Sequence, residues 1–143
     1  MESQKRPLLF TFWGIYFACA GFATLVSGVA FWHFGGGLPF LPAAYVGMNA
    51  LLSRAFFLRE RWLLPLLTLH ISAYTTLFLA TWLLGGDVPF ISSAISTALA
   101  GGAWVSVYTY RTSALLKQGT WAGVACLVLW ILVYTYTATV VLQ

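Results

Sequence analysis

Trp32-His33-Phe34-Gly35-Gly36-Gly37-Leu38-Pro39-Phe40 returns fifty residues later as Trp82-Leu83-Leu84-Gly85-Gly86-Asp87-Val88-Pro89-Phe90. Tryptophan, two glycines, proline and phenylalanine recur in register. Each copy joins two apolar runs of roughly 20 residues, the length needed to cross the hydrocarbon core of a bilayer. The two stretches read as the tips of membrane hairpins. Working outward from them gives an all-α integral membrane protein.

Five transmembrane helices are expected, at about 8–34, 40–58, 62–84, 88–110 and 121–142. The first four form two parallel-oriented helical-hairpin repeats, and the fifth helix is added to them. The whole chain, 1–143, is then a single transmembrane helical bundle. Ala23, Ala30, Ala44 and Ala50 match Ala73, Ala80, Ala94 and Ala100 at the same offset. Such parallel repeats are related by an axis along the membrane normal. The end of the fifth run, Tyr134 to Thr139, alternates like a strand, but a lone strand in lipid leaves its backbone unpaired, so helix is expected.

Composition agrees. The chain is 61% hydrophobic and 7% charged, which no soluble domain of this length can accommodate. All seven basic residues fall on one side of the expected spans: Lys5, Arg6, Arg54, Arg59, Arg61, Arg111 and Lys117. The positive-inside rule then places the N-terminus in the cytoplasm and the C-terminus outside. The expected location is a prokaryotic cytoplasmic (inner) membrane. The net charge of +4 reflects this topology rather than a nucleic-acid partner. Lys5 and Arg6 before an apolar run also resemble a signal peptide. Tyr16 and Phe17 are too bulky for a cleavage site before Cys19, and the run continues well beyond it.

Small residues mark faces for helix contact. Gly14, Ala18, Gly21, Thr24 and Gly28 do so on the first helix. On the fourth, Ser93, Thr97 and Gly101 form one ladder, with Gly102 ending another that contains Ala94 and Ala98. The fourth helix is expected to be the most enclosed.

The acids exclude much chemistry. Glu2, Glu60 and Asp87 all lie outside the expected membrane interior, where a cation-coupled transporter usually carries an ionisable group. No zinc-type spacing, phosphate loop or Ser-His-Asp set can be placed. No metal site or catalytic residue is assigned, and the cofactor is unknown. His33 and His70 differ in depth by roughly 20 Å in a hydrocarbon core of about 30 Å, which excludes a shared haem iron. Cys19 and Cys126 fall at different depths in apolar runs and read as buried thiols.

His70 lies about 12 Å from the cytoplasmic boundary and Asn49 about 13 Å, by helix rise. A tight turn joins their helices, so the two side chains are expected to meet as an interhelical hydrogen bond. Tyr74 shares a face with His70. Trp130 and Tyr134 share one on the fifth helix. Together Asn49, His70, Tyr74, Trp130 and Tyr134 make a candidate ligand-binding interior for a quinone, lipid or pigment. Asp87, the only charge on an outer loop, is the candidate contact for an outer-face partner.

In size, aromatic richness and five crossings the chain resembles the tryptophan-rich translocator family, although that family's Trp/Pro-rich first loop has no counterpart here. In topology alone it resembles the five-helix membrane anchors of quinoprotein dehydrogenases. Neither resemblance carries over any residue. The expected function is a non-enzymatic membrane-embedded subunit, anchor or assembly partner of a larger complex, possessing a lipophilic-ligand pocket. Its partners are the lipid bilayer and other membrane subunits or further copies of itself. The alternatives are a small homo-oligomeric transporter or channel, and an intramembrane enzyme acting on a lipid.

Overall fold

A computed structural model describes residues 7–34, 40–84, 90–112, 116–118 and 121–141. They form five α-helices: α1 (Leu8–His33), α2 (Phe40–Leu58), α3 (Leu63–Leu83), α4 (Phe90–Thr109) and α5 (Trp121–Val141). No strand occurs among the described residues. Four of the helices, α1, α2, α3 and α5, are long and apolar enough to cross a membrane.

The helices close into a ring. Round it the contacts run α1–α2, α2–α5, α5–α3, α3–α4 and α4–α1. Although a short turn joins α2 to α3, the two touch little, because α5 stands between them. This corrects the expectation that they pack side by side.

Close backbone approach sets the α1–α2 pair. Gly14, Gly21 and Gly28 are buried and seven residues apart, the spacing that keeps one seam on a partner helix. A Cβ at Gly14 would lie 2.9 Å from the Phe57 ring, at Gly21 3.2 Å from Asn49 Cβ, and at Gly28 2.7 Å from Pro42 Cβ. Ser53 Oγ donates to the Gly14 carbonyl at 2.7 Å. The most enclosed helix is therefore α2, with Ala44, Met48, Leu52, Ser53, Ala55 and Phe56 buried. Among the described residues of α4, Ala103, Ser106 and Val107 are buried, fewer than on α2, which corrects the expectation made for that helix.

α4 closes the ring on α1 through Trp13, whose indole N–H donates to Ser106 Oγ at 2.8 Å. Trp104 Nε1 likewise donates to Thr68 Oγ1 on α3 at 2.7 Å.

The α2–α3 turn is clamped to the α4–α5 connection. Lys117 N–H donates to the Arg59 carbonyl at 2.7 Å, and Arg61 N–H to the Lys117 carbonyl at 2.8 Å. Arg61 Nε adds a bond to the Leu116 carbonyl at 3.1 Å. Glu60 is 5% exposed. It accepts from Arg54 at 3.1 Å and from the Trp62 indole. Burial is concentrated at this end of the bundle, where Phe10, Phe56, Leu63, Leu67 and Val107 are all at most 2% exposed.

Arg59 ends α2 with a φ of 61°. The Glu60 N–H returns to the Ala55 carbonyl at 3.0 Å, the bond pattern of a helix stop that glycine usually provides. A side chain there costs about 1–2 kcal/mol. Arg59→Gly is expected to raise stability by about 1 kcal/mol, read as a later midpoint in denaturation from detergent micelles. An earlier midpoint would show that the Arg59 side chain contributes more than its backbone costs.

Candidate functional site

The ring of five helices surrounds a cavity of about 290 Å³. This is close to the lower bound of ordinary small-molecule pockets, roughly 300 Å³. Every helix contributes to its wall: α1 through Tyr16 and Phe17, α2 through Tyr45 and Asn49, α3 through His70 and Tyr74, α4 through Ser96 and Ala100, and α5 through Trp130 and Tyr134. The insertion of α5 between α2 and α3 makes this possible. A tight α2–α3 pair would leave no room for side chains from a third helix.

The wall is aromatic with a few polar groups. Tyr134 Oη lies 2.8 Å from His70 Nδ1, and their rings meet edge to face at 5.5 Å. His70 also stacks near Tyr74, 6.3 Å between centroids. Trp130 lies against Tyr134 at 4.7 Å with a tilt of 32°. Asn49 Nδ2 donates to the Tyr45 carbonyl one turn back, at 2.9 Å. The expected Asn49–His70 hydrogen bond is thus replaced by two others: His70 meets Tyr134, and Asn49 binds its own helix. Depth along a helix is set by the rise per residue. Rotation about the axis is not, and rotation selects the partner.

None of the described residues that line the cavity is Lys, Arg, Asp or Glu. Among the described residues no group of three or more His, Cys, Asp or Glu is placed to hold a metal. The Trp130 indole N–H is buried without a hydrogen-bond partner.

The structure places the five residues named as ligand contacts, Asn49, His70, Tyr74, Trp130 and Tyr134, around this single cavity. The residues named for helix packing separate. A Cβ at Gly102 would lie 2.9 Å from the Trp13 ring, whereas one at Gly101 would meet nothing within 4 Å. Thr97 is partly buried. Ser93 lies on α4 with its side chain outside the described residues, as is Asp87 altogether. Tyr16, Phe17 and Ser96 were not singled out by the sequence. Depth could have found Tyr16: it stands about as far into α1 as His70 does into α3, and both helices start at the Glu60 end.

No protein-family model matches the chain, and neither a curated protein nor a solved structure matches it. The functional reading rests on the geometry.

Proposed function

We propose that the protein is a five-helix integral membrane subunit that holds a lipophilic small molecule in its central cavity and serves a larger membrane complex. The observation that carries this reading is the cavity itself. Polar side chains from facing helices converge in an otherwise apolar bundle, the usual build of a small-molecule site between helices. Exposed Phe12, Ile15, Phe22, Val26 and Val29 along α1 suit contact with lipid or with another subunit. In this reading α4 is the fifth span, enclosed by partners more than by its own chain. The N-terminus is cytoplasmic, because Arg54, Arg59, Arg61, Arg111 and Lys117 belong to the end carrying Glu60. α1 packs on α2 as α3 packs on α4, which supports two hairpin repeats.

The test is extraction in mild detergent followed by native mass spectrometry. A small lipophilic adduct and a second protein species are expected. Ala100 lines the cavity, so Ala100→Phe fills it and is expected to reduce adduct occupancy at least tenfold, roughly 1.4 kcal/mol of affinity. Full retention of the adduct in that variant overturns the pocket. Recovery as a single-protein species from the native membrane overturns the subunit role.

A further inference from the structure

We propose that the outer groove between α1 and α2 holds one anionic phospholipid of the leaflet beside Glu60, with its phosphate on Arg54 and an acyl chain along the groove. The site is separate from the central cavity, and it rests only on the reading of the helices as membrane spans.

The groove lies on a different side of the α1–α2 pair from the cavity. α2 turns Tyr45 and Asn49 to the cavity, but Val46, Ala50 and Arg54 to the groove. α1 adds Ala18, Gly21 and Leu25. The groove has a volume of about 420 Å³. Ala18, Leu25, Ala50 and Arg54 are exposed, so it opens on the outside of the bundle, where lipid lies.

Depth matches a lipid chain. Arg54 stands one turn before the end of α2 at Leu58, about 6 Å by helix rise, and Val46 is about 12 Å further in. One leaflet fills about 15 Å, half of a hydrocarbon core of about 30 Å. The groove therefore follows an acyl chain through most of one leaflet. It ends at a cation whose stem reaches toward the head groups. Beyond Leu25 and Val46 a further hollow continues toward Trp32, and none of its described lining residues is charged. The anchor thus belongs to the Glu60 end.

Charge selects the head group. The Arg54 side chain is 48% exposed and pairs through one nitrogen with Glu60 Oε1 at 3.1 Å. A guanidinium has five N–H donors in a planar fork that suits phosphate. The rest of that fork is the polar end of the groove, because the Ser53 hydroxyl is spent on the Gly14 carbonyl. Glu60 is 5% exposed and already accepts from Arg54 and Trp62, so it offers nothing to a choline or ethanolamine cation. Among the described residues Arg54, Arg59, Arg61, Arg111 and Lys117 face this single acid at that end. A lipid with net negative charge is favoured there.

The experiment titrates the purified protein in mild detergent with dioleoyl phosphatidylglycerol, and separately with dioleoyl phosphatidylcholine, read by native mass spectrometry. Wild type is expected to bind the first phosphatidylglycerol about tenfold more tightly. The other basic residues attract anionic lipid in general, so variants locate the site. Ala18→Leu and Ala50→Leu put bulk into the groove from exposed positions, and each is expected to lower that first affinity about tenfold. Ala23→Leu, exposed on α1 outside the groove, is expected to leave it unchanged. Arg54→Gln combined with Glu60→Gln removes both charges together, leaving no unpaired buried ion, and is expected to erase the preference for phosphatidylglycerol. Equal affinity of wild type for the two lipids overturns the anionic head group. A full preference in the double glutamine variant overturns the Arg54 contact. Wild-type binding in both leucine variants overturns the groove. Displacement of the lipid by an equal concentration of glycerol phosphate, which has no chain, overturns the lipid in favour of a free phosphate. A wild-type homodimer without bound lipid, lost in both leucine variants, overturns it in favour of a second copy of this chain.

Discussion

Trp13→Ala is expected to open the ring of helices and to cost about 3 kcal/mol, the low end of the range for deleting a buried tryptophan. The low end applies because α1 separated from α4 remains in lipid on the membrane reading. The gain from leaving water is then absent, and lost packing dominates. Trp13 is 6% exposed, donates to Ser106 and stands 5.6 Å from the Tyr16 ring. It also fills the space beside Gly102. Unfolding by titration with a denaturing detergent, followed by circular dichroism, measures the cost. Trp13→Phe separates the hydrogen bond from the packing and is expected to lose only about 1 kcal/mol. Equal losses in the two variants would show that the hydrogen bond, not the ring volume, holds the closure.

Gly28→Leu is the second large effect. Even a Cβ at this position would lie 2.7 Å from Pro42 Cβ, closer than carbon atoms approach. Pro42 sits in the first turn of α2, and its ring has little freedom to move aside. The helices must separate at that point, and the glycines seven and fourteen residues before it share the seam. Overpacking of this kind costs about 1–3 kcal/mol, and the upper end is expected here. Gly101→Leu is the control: an added Cβ there meets nothing within 4 Å, and the change is expected to stay within about 0.5 kcal/mol. A loss at Gly101 as large as at Gly28 would mean that a partner covers that face of α4.

The architecture was legible where it depends on length and composition. Apolar runs separated by Gly-Pro or charged breaks can only be helices in a chain this apolar, so five helices follow. Lateral order was not legible. A helix that is apolar all round carries no amphipathic stripe to name its neighbours, and α5 is such a helix. Its place between α2 and α3 follows from backbone bonds between residues 59, 61 and 117, which no side-chain pattern announces. The glycines of α1 were visible as small residues, but their common partner, α2, was not. In the cavity, helix rise fixed the depths of Asn49 and His70. Their actual partners, Tyr45 and Tyr134, depended on rotation about each axis. The small-residue ladders of α4 suggested enclosure on two faces; an added Cβ at Gly102 would meet the Trp13 ring, whereas one at Gly101 would meet nothing within 4 Å.

The clamp between Arg59, Arg61 and Lys117 gives the molecule unequal ends. Toward the opposite end Phe22, Leu25, Trp32, Leu79, Trp82 and Leu83 are between 45% and 76% exposed, while the deeply buried Phe10, Phe56, Leu63, Leu67 and Val107 lie beside Glu60. In a bilayer the two leaflets would then meet different shapes. Acyl chains of the leaflet beside Glu60 would meet helices joined through a packed interior. Those of the other leaflet find more exposed side chains and reach further in between the helices. Chain length and unsaturation in that second leaflet would therefore become part of the packing of the protein itself.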